Sequence, residues 1–397
     1  MQVRDPVVVN VSYFFAFVDD PTIDPTGSRR NVQRGAALLY ATAEFRKLVC
    51  SGSLPYERVG KQQTPICATA YKYMFNACRI PRREQDSYRI YDPSRCSHCI
   101  VARKGFFFAM ELVDLHTGDP LPVGILEDQL AECIRLADEI PTNRLKLGLL
   151  TSQNRDDSAD AREELLRVGG IAMEEAFTIL ESGAILLNLD DEAPVSRQEC
   201  GELFWTGGLN SGANRWFDKS IQIMVTNNGK AGAIMEHSMM DGMPVVGAFD
   251  FITKVTYAQA KKRSSLSGVV TSKAHVSDIF AVALSRIDPM ITERLETKGM
   301  QTRPMLLVVL YHVFPFWDID SCSFVACSME CLLQIDHRPL APCPKLPGLW
   351  QLIHQEIRVP SRRFCTDGNV FSNISTFWRA SRNLRSNASS IILAWKD

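Results

Sequence analysis

The residues best suited to chemistry in this sequence are His237 and Asp241, which lie near the end of the segment RWFDKSIQIMVTNNGKAGAIMEHSMMDG at residues 215–242. An imidazole titrates near neutral pH, and it can remove a hydroxyl or thiol proton when its other ring nitrogen is held by a fixed acceptor. Asp241 follows His237 by four residues, so one helical turn or a tight loop would bring both side chains to the same side. The pair predicts general-base chemistry next to a carboxylate.

A β-hairpin is predicted to deliver the histidine to its site. Residues 219–226 alternate apolar and polar side chains, residues 227–229 read Asn-Asn-Gly, and residues 231–235 form a second apolar run. Alternation indicates a half-buried strand, and Asn-Gly is typical of a tight hairpin turn. His237 stands where the returning strand stops, and a helix is predicted over residues 245–257, entered at Pro244.

Other roles for the histidine fit less well. A metal would need further ligands, and Glu236, the one candidate beside it, would point the other way along a strand. A structural histidine is the alternative for a lone residue, but His-x-x-x-Asp-Gly after a hairpin strand is a more specific pattern. The sequence holds no Gly-x-Ser-x-Gly motif, and no cysteine near His237 has a catalytic pattern. We therefore expect direct transfer of an acyl group from a bound thioester to an alcohol.

Two other patterns could bind a ligand. Cys96-x-x-Cys99 would be half of a zinc site, but no second pair follows at usable spacing. Residues 207–212, Gly-Gly-Leu-Asn-Ser-Gly, lack the glycine and lysine spacing of phosphate-binding loops. We interpret the cysteines as structural and the glycine-rich stretch as a connector, and we expect no metal and no permanently bound cofactor.

The composition is that of a globular chain. Its 397 residues, 46% of them hydrophobic, fit two or three domains at about 150 residues each. Lys and Arg total 44 against 45 Asp and Glu, so the formal net charge of -1 gives no sign of nucleic-acid or anionic-membrane binding. The longest apolar stretch, at residues 305–317, is interrupted by His312 and Pro315 and is shorter than the roughly 20 residues of a spanning helix. We expect a soluble protein.

The twelve cysteines are irregularly spaced, which is typical of reduced thiols inside the cell. The first fifteen residues, MQVRDPVVVNVSYFF, show no cleavage site of a signal peptide, so an intracellular protein is predicted without a choice of organelle. Residues 261–263, Lys-Lys-Arg, are interpreted as a solvated loop, with a localisation signal as the alternative.

Strands and helices alternate along the first part of the chain. Strands are predicted at residues 6–17, 100–112 (one strand or a pair), 145–151 and 184–190, and helices at residues 35–50, 71–78, 126–140, 157–168 and 172–182. This alternation predicts an α/β fold with a mixed β-sheet and flanking helices. From about Pro304 the periodicity is poor, and residues 304–397 hold five of the twelve cysteines.

The residues around the histidine resemble the choline/carnitine acyltransferase family. The run Arg-Trp-Phe-Asp-Lys at residues 215–219 and the motif Glu-His-x-x-x-Asp-Gly at residues 236–242 are similar to its signature. Further segments that are similar to the family begin at Tyr71 (YKYMFNACRIPRREQD), Leu147 (LGLLTSQNRDD) and Gly207 (GGLNSGANRWFDK). Within the family, EHSMMDG is most similar to the carnitine acetyltransferases.

The resemblance implies reversible transfer of an acetyl or short acyl group between coenzyme A, a co-substrate, and carnitine, with choline as the alternative acceptor. It implies chloramphenicol-acetyltransferase-like domains with the active site in a tunnel between them. His237 would be the general base for the carnitine hydroxyl or the coenzyme A thiol, and Asp241 would support the carnitine-carboxylate site by pairing with an arginine. Arg215 and Asp218 would be structural supports of the approach to the hairpin.

The sequence also departs from the family. The segments that would bind the coenzyme A phosphates, carnitine and the oxyanion are not found, Ser375-Thr376 is no convincing substitute for the last of these, and Ser158 stands where tryptophan is usual. We therefore expect a histidine-bearing acyltransferase domain at residues 1–255, a degenerate start of a second domain at 256–303 and a divergent tail at 304–397. A truncated chain without most of its second domain is the expectation, and a non-catalytic fragment or pseudoenzyme is the alternative.

Overall fold

The computed structural model describes residues 4–24, 26–56, 58–65, 67–141, 144–208, 211–263, 276–285 and 287. The strands are β1 (Ser12–Ala16), β2 (Arg58–Val59), β3 (Thr64–Pro65), β4 (Ala77–Ile80), β5 (Ser87–Ile90), β6 (His98–Arg103), β7 (Phe106–Glu111), β8 (Leu186–Asp190), β9 (Ile221–Thr226), β10 (Ala231–Glu236) and β11 (Val276–Asp278). The helices are α1 (Val7–Asn10), α2 (Arg30–Cys50), α3 (Val123–Glu139), α4 (Arg155–Ser182), α5 (Arg197–Thr206), α6 (Gly242–Arg263) and α7 (Ala281–Leu284).

Seven strands form one mixed sheet in the order β1-β10-β9-β8-β6-β7-β11. Strand β8 runs parallel to both β6 and β9, and the other neighbours are antiparallel. The predicted α/β fold with a mixed sheet and flanking helices is confirmed. The β9–β10 hairpin lies inside this sheet, with β1 on one side and β8 on the other, so both hairpin strands are paired along both edges.

The alternation of side chains along β9 and β10 separates two faces. Ile223, Val225 and Met235 belong to the core that packs against α2, α3 and α6. Met224 and Ile234 point to the opposite face, where they pack in the cluster of α1 and α5. Successive side chains of a strand point to opposite faces, and every residue of β9 and β10 is buried, so the strand predicted to be half-buried is covered on both sides. The hairpin is therefore packed on both faces up to Glu236, the residue before the histidine.

Several predicted elements are confirmed. The pair of strands at residues 100–112 is the β6–β7 hairpin, in which Lys104 and Gly105 both have positive φ, as a two-residue type I′ turn requires. The helices predicted at residues 157–168 and 172–182 are the two halves of α4, which is interrupted at Gly170 by a non-helical conformation.

Three predictions were wrong in part. Residues 6–17 contain α1 before the strand β1, and residues 71–78 contain the end of a 3₁₀ turn (Thr69–Tyr73) and the start of β4 instead of a helix. The predicted strand at residues 145–151 is a buried 3₁₀ turn, Leu147–Ser152. A Cβ added at Gly148 would lie 2.3 Å from the Ala213 carbonyl oxygen, so the chain there packs against another backbone. A short apolar run indicates burial but not the backbone conformation.

The Lys-Lys-Arg stretch at residues 261–263 is the last turn of α6 and not a loop. The same helix runs through residue 255, and β11 pairs with β7, so the sheet extends past the predicted boundary of the first domain. The division at residues 255 and 303 stays a prediction, and the tail at residues 304–397 lies outside the described residues. Within the part of the chain that the structure describes, no helix combines the length and the apolar character needed to cross a membrane.

Candidate active site

The β9–β10 hairpin places His237 as predicted from its turn chemistry. Gly229 has φ 81° and its N–H donates to the Thr226 carbonyl oxygen at 2.9 Å, closing the tight turn. Strand β10 then pairs with β1 up to Glu236, which lies opposite Ser12. The N–H of His237 donates to the Val11 carbonyl oxygen at 2.9 Å, so the backbone of the histidine is the last one anchored to the sheet edge before the chain turns.

The imidazole of His237 is held in one tautomer. Its Nδ1 lies 3.0 Å from the carbonyl oxygen of Met240. A carbonyl oxygen can only accept, so Nδ1 carries a proton, and in the neutral form of the ring Nε2 presents the lone pair. The side chain is 27% exposed, so the ring is partly open to solvent. A neutral imidazole with one nitrogen fixed by a backbone carbonyl has the arrangement of a general base.

Asp241 lies close to the histidine but is not hydrogen-bonded to it. Its Oδ1 is 4.0 Å from His237 Nε2, and its side chain is 83% exposed. The same Oδ1 accepts from the N–H of Gly242 at 2.7 Å, at the first residue of α6. The two side chains lie close together, as their spacing predicted, and among the described residues no arginine forms an ion pair with Asp241. Its support of a carnitine site stays a prediction.

Arg215 is buried away from solvent in an ion pair with Asp190. Nη1 donates to Oδ1 at 2.8 Å and Nη2 to Oδ2 at 2.7 Å, while Nη2 also donates to the Leu203 carbonyl oxygen at 2.9 Å. These contacts join the segment that enters the hairpin to the end of β8 and to α5. The geometry is that of a structural support.

Asp218 and Lys219 are also buried. Asp218 accepts from Arg155 Nη2 at 2.7 Å, and burial raises the pKa of its carboxyl to about 6 although Arg155 and Arg79 oppose the shift. Lys219 Nζ donates to the carbonyl oxygens of Glu181 at 2.7 Å and Gly183 at 2.6 Å, which satisfies the C-terminal end of α4. Burial lowers the pKa of Lys219 to about 8.

Two residues make contacts with the histidine or its turn that the sequence did not indicate. The ring of Tyr13 packs edge-on to the His237 ring, with 4.8 Å between centroids. Glu236 does point away from His237, as expected on a strand, but its Oε2 accepts from Ser238 Oγ at 2.6 Å and its Oε1 from Arg79 Nη1 at 2.9 Å. Arg79 lies in the segment that begins at Tyr71 and is similar to the family, and its pairing with Glu236 depends on the fold.

The patterns considered for ligands have other roles in the structure. Gly207 has a left-handed conformation and ends α5, and its N–H donates to the Leu203 carbonyl oxygen, while residues 209 and 210 lie outside the described residues. Cys96 and Cys99 are free thiols. Among the described residues, no group of three or more His, Cys, Asp or Glu side chains is arranged to hold a metal ion. Ser158 is buried, and its hydroxyl donates to the Leu150 carbonyl oxygen at 2.9 Å.

Comparison with known proteins bears on these residues directly. The family model described as "Choline/Carnitine o-acyltransferase" matches residues 1–296, which include the hairpin, His237 and Asp241. The chain belongs to the choline/carnitine O-acyltransferase family. The resemblance stated from the sequence motifs is thereby confirmed at the level of the family.

The chain is also similar to several individual proteins. The chain is 28% identical over 299 residues to "Carnitine O-acetyltransferase, mitochondrial" of Saccharomyces cerevisiae, covering 69% of this chain and 43% of that protein. It is 26% identical over 276 residues to the Homo sapiens carnitine O-acetyltransferase, covering 67% and 42%. A segment of "Highly reducing polyketide synthase ltbA" of Aspergillus luteorubrus is 34% identical over 215 residues, covering 53% of this chain and 6% of that protein. The chain spans about two fifths of the length of the two acetyltransferases.

Proposed function

We propose that His237 is the general base of a coenzyme A-dependent acyltransferase that moves an acetyl or short acyl group between coenzyme A and carnitine. The observation that carries the proposal is the Nδ1 contact with Met240 O at 3.0 Å, which leaves Nε2 of a partly exposed imidazole free to accept a proton. Family membership and the names of the two acetyltransferase relatives support the choice of substrates.

The reaction follows from the position of the lone pair. Nε2 takes the proton of the carnitine hydroxyl as its oxygen attacks the carbonyl carbon of the acyl thioester. The tetrahedral intermediate collapses with cleavage of the carbon–sulfur bond, and the sulfur receives the proton from Nε2. In the reverse direction the same nitrogen takes the thiol proton, so one base serves both directions of the reaction. Coenzyme A and carnitine are consumed as substrates and are not resident cofactors.

Asp241 has a secondary role in this proposal. Its carboxylate lies 4.0 Å from Nε2, where it favours the imidazolium that forms when the proton is taken up. Because the carboxylate is 83% exposed, water and salt screen this attraction strongly. The Met240 carbonyl orients the base, and Asp241 adds only a screened attraction.

The acceptor is tested by product analysis. The purified chain is incubated with acetyl-CoA and L-carnitine, and the release of free thiol is followed together with the mass of the acetylated product. We expect acetylcarnitine and thiol in equal amounts. Thiol without acetylcarnitine would mean hydrolysis, and would contradict carnitine as the acceptor.

A different alcohol acceptor is the second candidate. The likeness of residues in this chain to a segment of a protein named as a polyketide synthase favours it, since that name refers to no carnitine. The same incubation with choline, and with a panel of hydroxylated acceptors, decides between the two. Turnover with choline or another alcohol and none with carnitine would leave the role of His237 intact and replace the substrate.

A non-catalytic role has its own supporting observation. Met243 and Val246, on the first turns of α6 beside the histidine, are 53% and 36% exposed. Exposed apolar side chains beside a site suit a surface that is covered by another protein or domain. The absence of thiol release with every acceptor, from a chain shown to be folded by circular dichroism, would favour this alternative over an enzyme.

A further inference from the structure

We infer that Glu236 is a positioning residue for His237, acting through Ser238 to fix the turn that orients the imidazole. The inference rests on the proposed function of His237 as a base. It assigns a task to a carboxylate that the proposed reaction does not use.

The carboxylate of Glu236, the residue before His237, contacts Ser238, the residue after it. Its Oε1 accepts from the backbone N–H of Ser238 at 3.1 Å, and its Oε2 accepts from the Ser238 hydroxyl at 2.6 Å. Ser238, the residue after His237, is therefore fixed by the two hydrogen bonds that it donates to one carboxylate. The backbone N–H of His237 donates to the Val11 carbonyl oxygen. The short O–H···O⁻ bond is of the charge-assisted kind.

The turn held in this way supplies the partner of the imidazole. Met240, whose carbonyl oxygen lies 3.0 Å from Nδ1, is two residues beyond Ser238. The Ser238 peptide lies two residues before that carbonyl and contributes to its direction. Met240 itself is 2% exposed and packs in the core, so the turn is held at both ends. The anchor at Ser238 therefore acts together with the buried Met240 side chain to set the tautomer and the tilt of the ring.

The carboxylate is itself fixed from within the protein. Arg79 Nη1 donates to Glu236 Oε1 at 2.9 Å, and Arg79 Nε donates to Asp86 Oδ2 at 2.7 Å, with all three side chains at most 1% exposed. Arg155 Nε donates to the same Asp86 oxygen at 2.6 Å. A buried charge that moved away from its partner would leave an uncompensated ion, so Glu236 has little freedom. The histidine turn therefore ends on a rigid buried network.

Ser238 offers the cleanest test because it is only partly buried and its truncation leaves the ion network intact. Ser238→Ala removes the hydroxyl bond to Glu236, Ser238→Thr keeps a hydroxyl, and Ser53→Ala makes the same change at an exposed position. For each full-length variant we would measure circular dichroism, kcat and KM for acyl transfer, and the ¹⁵N signals of the His237 ring in its neutral form.

We expect Ser238→Ala to fold normally, to lower kcat about tenfold or more with an unchanged KM, and to shift the ¹⁵N signals towards a mixture of tautomers. Ser238→Thr should keep kcat and the ¹⁵N signals close to those of the wild type, and Ser53→Ala should match the wild type in both. Glu236→Gln provides a second variant, with the same NMR signature expected if it folds.

Identical ring signals in Ser238→Ala and wild type would overturn the inference, as would an unchanged kcat. If the wild-type chain transfers no acyl group at all, the proposed function fails and the NMR comparison still decides whether Ser238 orients the histidine.

Discussion

The guanidinium of Arg215 and the carboxylate of Asp190 form a two-point ion pair, with distances of 2.8 and 2.7 Å, in which neither side chain reaches solvent. Two parallel hydrogen bonds give this pair a fixed geometry that a lysine cannot reproduce. The pair links the segment that precedes β9 to the end of β8. It therefore supports the β9–β10 hairpin, which carries His237, without contacting the histidine.

Removing Arg215 is expected to destabilise the fold. Arg215→Ala leaves the Asp190 carboxylate buried with a missing partner, for which a loss of about 3–5 kcal/mol in the free energy of unfolding is expected. Urea unfolding followed by circular dichroism measures it. Arg135→Ala is the control, because Arg135 makes its ion pairs at the surface, where little change is expected. Equal effects of the two substitutions would contradict the structural role.

The pH dependence of stability should show the buried carboxyl of Asp218. Burial raises its pKa to about 6 from 3.8, so the folded protein holds this proton more tightly than the unfolded chain does. The resulting stabilisation is complete below pH 3.8 and is lost as the pH rises through 6.

Asp218→Asn removes this titration and keeps the shape of the side chain. The unfolding free energy of the wild type, taken relative to that of Asp218→Asn, should fall by about 2–3 kcal/mol between about pH 4 and pH 7. Denaturant unfolding of both proteins across this range measures the difference. A difference that stays constant with pH would show that Asp218 is ionised in the folded protein throughout.

Two tyrosines are expected to respond oppositely to loss of the hydroxyl. Tyr13 is 2% exposed, and its hydroxyl has no hydrogen-bond partner among the residues that the structure describes. Tyr13→Phe should therefore leave the free energy of unfolding unchanged or raise it by at most about 3 kcal/mol, because an unpaired buried hydroxyl is unfavourable.

Tyr91 is the matched comparison. Its hydroxyl donates to Glu181 Oε2 at 2.7 Å. Tyr91→Phe should lower stability by about 1.5–3 kcal/mol, as for other hydrogen bonds to charged groups. Thermal unfolding of both variants makes the comparison. Destabilisation by Tyr13→Phe to the same extent would show that its hydroxyl has a partner in solution.

The hairpin and its turn could be predicted because their signals are local. The alternation along β9, the Asn-Asn-Gly turn and the four-residue spacing of His237 and Asp241 are each carried by a few neighbouring residues. Helix α5 also had a local signal, since Ser196 and Glu199 form a capping box, but it was not used.

The ion pairs between residues far apart in the sequence could not be predicted from local signals. Arg215 is 25 residues from Asp190, and Arg79 is 157 residues from Glu236, so only the fold brings each pair together. The tautomer of His237 depends on a backbone carbonyl, which carries no sequence signal. The candidate base was therefore found from the sequence, while its support by Met240, Ser238, Glu236 and Arg79 required the structure.

The most direct test of the central claim is the rate of thiol release from acetyl-CoA in the presence of carnitine, measured for His237→Ala and for His116→Ala. His116 lies in an exposed turn, so its variant controls for the loss of an imidazole. If His237 is the general base, His237→Ala lowers kcat by about a hundredfold or more while His116→Ala matches the wild type. Retention of wild-type turnover by His237→Ala would contradict the account.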